Sequence, residues 1–130
     1  MYHLTYFFDE ILGHILWDSG LILITLALII RAFNEKLPSS DKNIPLLAVS
    51  SVFFGFTYFC NAVEGQTVVF MLPVSILLPV IIAVALRRVK QKKNAITLYF
   101  IGAYSFACIL FIIWGIWQNG FPQFSEIGWI

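Results

Sequence analysis

Glu10, His14 and Asp18 follow one another at i, i+4 and i+8 in the segment DEILGHILWDSG, where an apolar stretch begins. On a helix this spacing stacks three ionisable side chains along one face. Three kinds of chemistry fit them. The first is a satisfied hydrogen-bond network in which His14 bridges the two acids. The second is a metal or general acid/base site, since imidazole and carboxylates together ligate zinc, iron or manganese. The third is an ion or proton path, the usual employment of carboxylates and histidine inside a bilayer.

A second polar group lies further along the chain. Tyr58, Asn61 and Glu64 are spaced i, i+3, i+6, close to one helical face, and Gln66 and Thr67 follow directly. A divalent metal would draw on His14, Asp18 and Glu64. No HExxH or ExxH pattern supports such a centre, and His3 is the one other histidine. There is also no phosphate-binding glycine loop, dinucleotide fingerprint, nucleophile elbow or haem-attachment motif. Cys60 and Cys108 are isolated inside apolar runs and read as packing residues.

The elements that must position these groups follow from composition. Of 130 residues, 60% are hydrophobic and 12% charged, about half the charge of a typical soluble domain, near 25%. A bilayer is the natural solvent for such a chain. A net charge of +1 argues against nucleic acid as a partner. The first charges are acidic, so the first apolar run does not resemble a cleaved leader and is expected to remain as a membrane helix.

Four spans are expected, over residues 11–32, 44–63, 67–86 and 95–117, each near the 20 or so apolar residues that cross a bilayer. Short linkers between them predict a single all-α domain over 1–130, an antiparallel up-and-down bundle of four transmembrane helices. All eight Lys and Arg fall in two linkers: Arg31, Lys36 and Lys42 at the first, and Arg87, Arg88, Lys90, Lys92 and Lys93 at the third. The positive-inside rule makes 33–43 and 87–94 cytoplasmic loops. Both termini, the Glu64-Gly65-Gln66 turn and the tail 118–130 then lie outside. The run from Arg87 to Lys93 is expected chiefly to fix topology and secondarily to meet anionic lipid headgroups.

Alternation brings Glu10, His14, Asp18, Tyr58, Asn61, Glu64 and Gln66 into the outer half of the bilayer. At about 1.5 Å per residue, Asp18 lies roughly 10 Å below the helix entrance. Such a depth is too great for a surface fringe. Aromatic residues at the outer ends, Trp17, Trp114, Trp117, Phe121 and Trp129 among them, are expected as interfacial anchors. Pro73 and Pro79 are expected to kink the third span. Gly102, Ala103, Ser105 and Ala107 should allow the fourth to approach a neighbouring helix, in this chain or another copy. The leading functional expectation is a small ligand-binding or accessory subunit of a membrane assembly. A membrane-embedded enzyme acting on an apolar or lipid-like substrate and an ion-conducting oligomer are the alternatives.

Overall fold

The computed structural model describes residues 2–35, 43–89 and 94–129, and among these the regular structure is helical. Helix α1 (Tyr2–Tyr6) passes through a π-helical turn (Phe7–Leu12) into α2 (Gly13–Asn34). Then come α3 (Ile44–Glu64), α4 (Val68–Val89) and α5 (Ala95–Gln118). Four segments, His3–Asn34 and the helices α3, α4 and α5, are long and apolar enough to cross a membrane. The first starts earlier than its composition predicts. Residues 2–8 contain no proline or glycine to stop a helix, so helical backbone continues through them, with the π turn taking up one extra residue.

Helix ends are set by local chemistry. Pro45 occupies the first turn of α3, where a missing N–H costs nothing. At the start of α5, Asn94 and Thr97 form a reciprocal capping box: Thr97 N–H donates to Asn94 Oδ1 at 2.9 Å, and Asn94 N–H donates to Thr97 Oγ1 at 3.2 Å. Pro73 and Pro79 both lie inside α4, whose helix runs on unbroken past them.

Helix α5 is the centre of the bundle. Its buried residues Phe100, Tyr104, Ala107, Phe111 and Trp114 recur every three or four positions, the spacing of one helical stripe. Tyr58 and Phe59 of α3 meet that stripe edge-on, with ring centroids 4.9 Å from Tyr104 and 5.3 Å from Phe111. On α4, Met71, Ser75, Leu78 and Ile82 repeat the same spacing and are buried with it. The α3–α5 contact is the tightest. A Cβ at Gly55 would stand 2.4 Å from the Ala103 carbonyl oxygen, and one at Gly102 would meet Ser51 at 3.3 Å. Ser51 Oγ also donates across this seam to the Tyr99 carbonyl at 3.1 Å. Gly102 and Ala103 of the fourth span thus serve contact within the chain.

Trp114 departs from expectation. It is 4% exposed, packed among Phe59, Phe124 and Trp129. Its indole N–H donates to the Pro122 carbonyl at 3.4 Å, because residues 119–129 fold back over the end of α3. Trp17, Trp117 and Trp129 keep exposed rings. Elsewhere the surface is oily: in each of the four long segments only 22–33% of the most apolar window is buried. An apolar exterior of that extent is unfavourable in water and ordinary in lipid.

Candidate functional site

Helix α2 meets the rest of the bundle along a narrow line. Its buried residues are Asp18, Thr25, Ile29 and Ala32. Three of these are seven positions apart, which returns them to one side of the helix. Each carries a polar clasp. Asp18 Oδ1 accepts from Asn61 Nδ2 at 2.6 Å, and Oδ2 from Thr67 Oγ1 at 2.5 Å. Thr25 Oγ1 lies 3.0 Å from Tyr104 Oη, both buried. The Ala32 carbonyl accepts from Asn94 Nδ2 at 3.0 Å, so Asn94 caps α5 and holds the end of α2 together.

Asp18 is 0% exposed. A buried carboxylate must be satisfied on both oxygens, and here one donor comes from the last turns of α3 and the other from the residue that opens α4. Beside it is a cavity of about 160 Å³, walled by Trp17, Leu21, Phe54, Tyr58 and Met71 as well as Asp18. Trp17 and Thr57, also on its lining, are exposed, so the cavity is reached from the side of the bundle. Tyr58 directs its hydroxyl to the Met71 carbonyl at 2.8 Å, which fixes its ring as a wall of the cavity.

His14 sits one turn before Asp18, against the α3–α4 turn. A Cβ at Gly65 would lie 2.5 Å from His14 Nδ1, so only a glycine there leaves room for the imidazole. The turn itself is a Schellman-type closure: Thr67 N–H donates to the Ala62 carbonyl at 3.0 Å, and Gln66 N–H to the Val63 carbonyl at 3.4 Å. Gln66 takes the left-handed position, with φ 55°. Glycine would be the usual occupant, yet Gly65 next to it has an ordinary φ of −77°.

The structure brings Asp18, Asn61 and Tyr58 together around one cavity, with His14 nearby. Other expectations need correction. Glu64 turns away: its Oε2 accepts from the Phe124 N–H at 3.0 Å, and its carbonyl from Gln123 Nε2 at 2.5 Å. It is one turn past Asn61, and the folded-back tail claims it. Accordingly no three His, Cys, Asp or Glu side chains among the described residues are grouped to hold a metal, and His14, Asp18 and Glu64 do not form a ligand triad. Gln66 is exposed because its left-handed backbone carries its side chain outward. Thr67, its neighbour, takes the place at Asp18. The side chain of Glu10 and residues Lys90, Lys92 and Lys93 lie outside the described residues, while Arg87 and Arg88 are exposed at the end of α4.

Sequence reasoning missed the Thr25–Tyr104 and Ala32–Asn94 clasps. The available signal was the seven-residue step from Asp18. A second cavity, of about 520 Å³, lies between α3, α5 and the tail, walled by Phe59, Cys60, Trp114, Trp117, Phe124 and Trp129. No family model matches the chain, and no curated protein or solved structure is significantly similar to it.

Proposed function

We propose that this chain is a small multi-pass membrane protein whose working element is the pocket at Asp18, and that it acts as a ligand-binding or accessory subunit of a membrane assembly. The observation that carries this reading is the fully buried Asp18 carboxylate, held by Asn61 and Thr67 and bordering a cavity open to the side of the bundle. Apolar walls with a few fixed polar groups are the usual make-up of a small-molecule site. A carboxylate pinned by two donors suits a group that holds a ligand, more than one that must change partners during a reaction.

The topology proposed is four antiparallel spans with both termini and the Gly65 turn outside. Its support is the placement of all eight cations in the two linkers or in the last turns of the helices that lead into them, and the pairing of the end of α2 with the start of α5. Arg87 and Arg88 would begin a cationic run at the inner headgroups. Labelling of Gln66→Cys from outside and of Gln91→Cys only after permeabilisation is expected, in a chain carrying Cys60→Ala and Cys108→Ala. The opposite pattern would invert the topology.

Binding is tested by native mass spectrometry of the protein released from its membrane. A small-molecule adduct on the native chain that is lost in Leu21→Phe, which fills the cavity, is the expected result. A bare native chain would overturn the reading.

One observation favours a second reading, a proton or ion path. Below Asp18, Tyr58 packs on Tyr104, and Tyr104 meets Thr25, so hydroxyl groups continue inward from the carboxylate. Proton flux into liposomes that disappears in Tyr104→Phe would favour it, and absence of flux would remove it.

A further inference from the structure

The cavity at Asp18 joins a buried acid to aromatic walls. Trp17, Phe54 and Tyr58 supply three aromatic rings to its wall, and Met71 adds a polarisable thioether. Asp18 receives its two hydrogen bonds from neutral donors, an amide and a hydroxyl. Among the described residues, the cation Arg31 is at the far end of α2, about 20 Å along the helix from Asp18, and Arg87 and Arg88 are at the far end of α4, about 30 Å along it from Thr67. His14, one turn earlier on α2, acts electrostatically on Asp18, but it rests on Gly65 and is not part of the cavity wall, which leaves the cavity side of the acid to a ligand. An acid in a low-dielectric site is stabilised by a positive partner, and aromatic faces attract the same charge through their quadrupoles. Size agrees as well, since a dry cavity of about 150 Å³ is enough for benzene, and a trimethylammonium group is no larger.

We propose that this pocket takes an ammonium group, primary or quaternary, entering sideways past Trp17 and Thr57 with its positive nitrogen directed at Asp18. This deepens the ligand-binding reading and rests on it. The ammonium belongs either to a free amine such as choline or to the headgroup of a choline-type lipid in the surrounding leaflet.

Two arms separate these sources. In nanodiscs of phosphatidylglycerol alone, choline is titrated calorimetrically against 3,3-dimethylbutan-1-ol, its uncharged isostere. In discs that also contain phosphatidylcholine, native mass spectrometry reads the lipid that stays bound. The expected result is saturable choline binding with the isostere about tenfold weaker, or more, and loss of choline binding in Leu21→Phe. Asp18→Asn, which keeps the shape and can still bond to both Asn61 and Thr67, should weaken choline by at least about the same factor. If that variant does not fold, the comparison of choline with its isostere on the native chain decides alone. Retention of phosphatidylcholine without free choline binding identifies the lipid headgroup as the source and supports the ammonium class. Equal binding of choline and isostere would overturn the cation assignment while leaving the pocket reading intact. No choline bound and no phosphatidylcholine retained would overturn it too, and the adduct experiment above then tells whether the pocket binds something else.

Discussion

The imidazole of His14 rests on the backbone of Gly65, so closely that a Cβ there would stand 2.5 Å from Nδ1 and 2.6 Å from Cγ. Glycine is needed here for space, because its φ of −77° is open to any residue. Gly65→Ala should therefore lower the midpoint of thermal unfolding, and His14→Ala should restore part of the loss. A double-mutant cycle in detergent or nanodiscs measures it, with a coupling of about 0.5–3 kcal/mol expected for residues in contact. Additive effects would mean that the two do not meet.

Gln66 presents the complementary case, a side chain in a left-handed position that favours glycine. Gln66→Gly should stabilise the chain by about 1 kcal/mol or less, since relief of the αL strain outweighs the extra freedom of the unfolded glycine. Destabilisation would contradict the turn as described.

At Asp18 the hydroxyl of Thr67 matters and its methyl does not. Thr67→Val leaves Oδ2 without that donor and should cost about 1–3 kcal/mol, while Thr67→Ser should cost much less. Equal losses in the two variants would show that packing, and not the hydrogen bond, holds α2 at this point.

The middle clasp is weaker. Thr25→Val and Tyr104→Phe should couple by about 0.6 kcal/mol, the average for hydrogen bonds between membrane helices. The double variant should accordingly be little worse than either single one. Coupling near zero would remove Thr25–Tyr104 from the set of contacts that hold α2.

Close approach of α3 and α5 predicts an order of severity. Gly55→Ala drives a Cβ into the Ala103 backbone carbonyl, which cannot move alone, and should cost about 1–3 kcal/mol. Gly102→Ala meets only the Ser51 side chain at 3.3 Å and should cost less. Thermal unfolding of the two variants checks the ranking.

Much of this arrangement is legible from residue types and spacing. Long apolar runs divided by charged linkers define the helices to within a few residues, apart from the early start of the first. The i, i+4 step from His14 to Asp18, and the arrival of Tyr58 and Asn61, mark the part of the bundle where the structure has the cavity at Asp18. What escapes is whatever depends on side-chain direction in non-helical backbone. Gln66 and Thr67 are equivalent by position, and only the left-handed turn makes one exposed and the other a partner of Asp18. Glu64 is at the expected level, but the tail folds back and takes its carboxylate, and tail segments carry no periodic signal. Trp114 looks like a headgroup anchor from its place near a helix end, and the same fold-back buries it.

The central claim is that α2 lies against the α3–α4 turn, with His14 and Asp18 on the side that faces it. Gly65 Cβ would be 2.6 Å from His14 Cγ, which is itself about 1.5 Å from its own Cβ, so the two Cβ atoms lie within the roughly 4.5 Å that a disulfide bridges. The most direct measurement is oxidative cross-linking of His14→Cys with Gly65→Cys in intact membranes, in the Cys60→Ala and Cys108→Ala chain, read by mass mapping of the joined peptides. Fast and nearly complete linkage is expected, with none for Leu16→Cys paired with Gly65→Cys in a His14→Ala chain, because Leu16 is on the opposite, exposed side of α2. Linkage through position 16 in preference to position 14 would contradict the account.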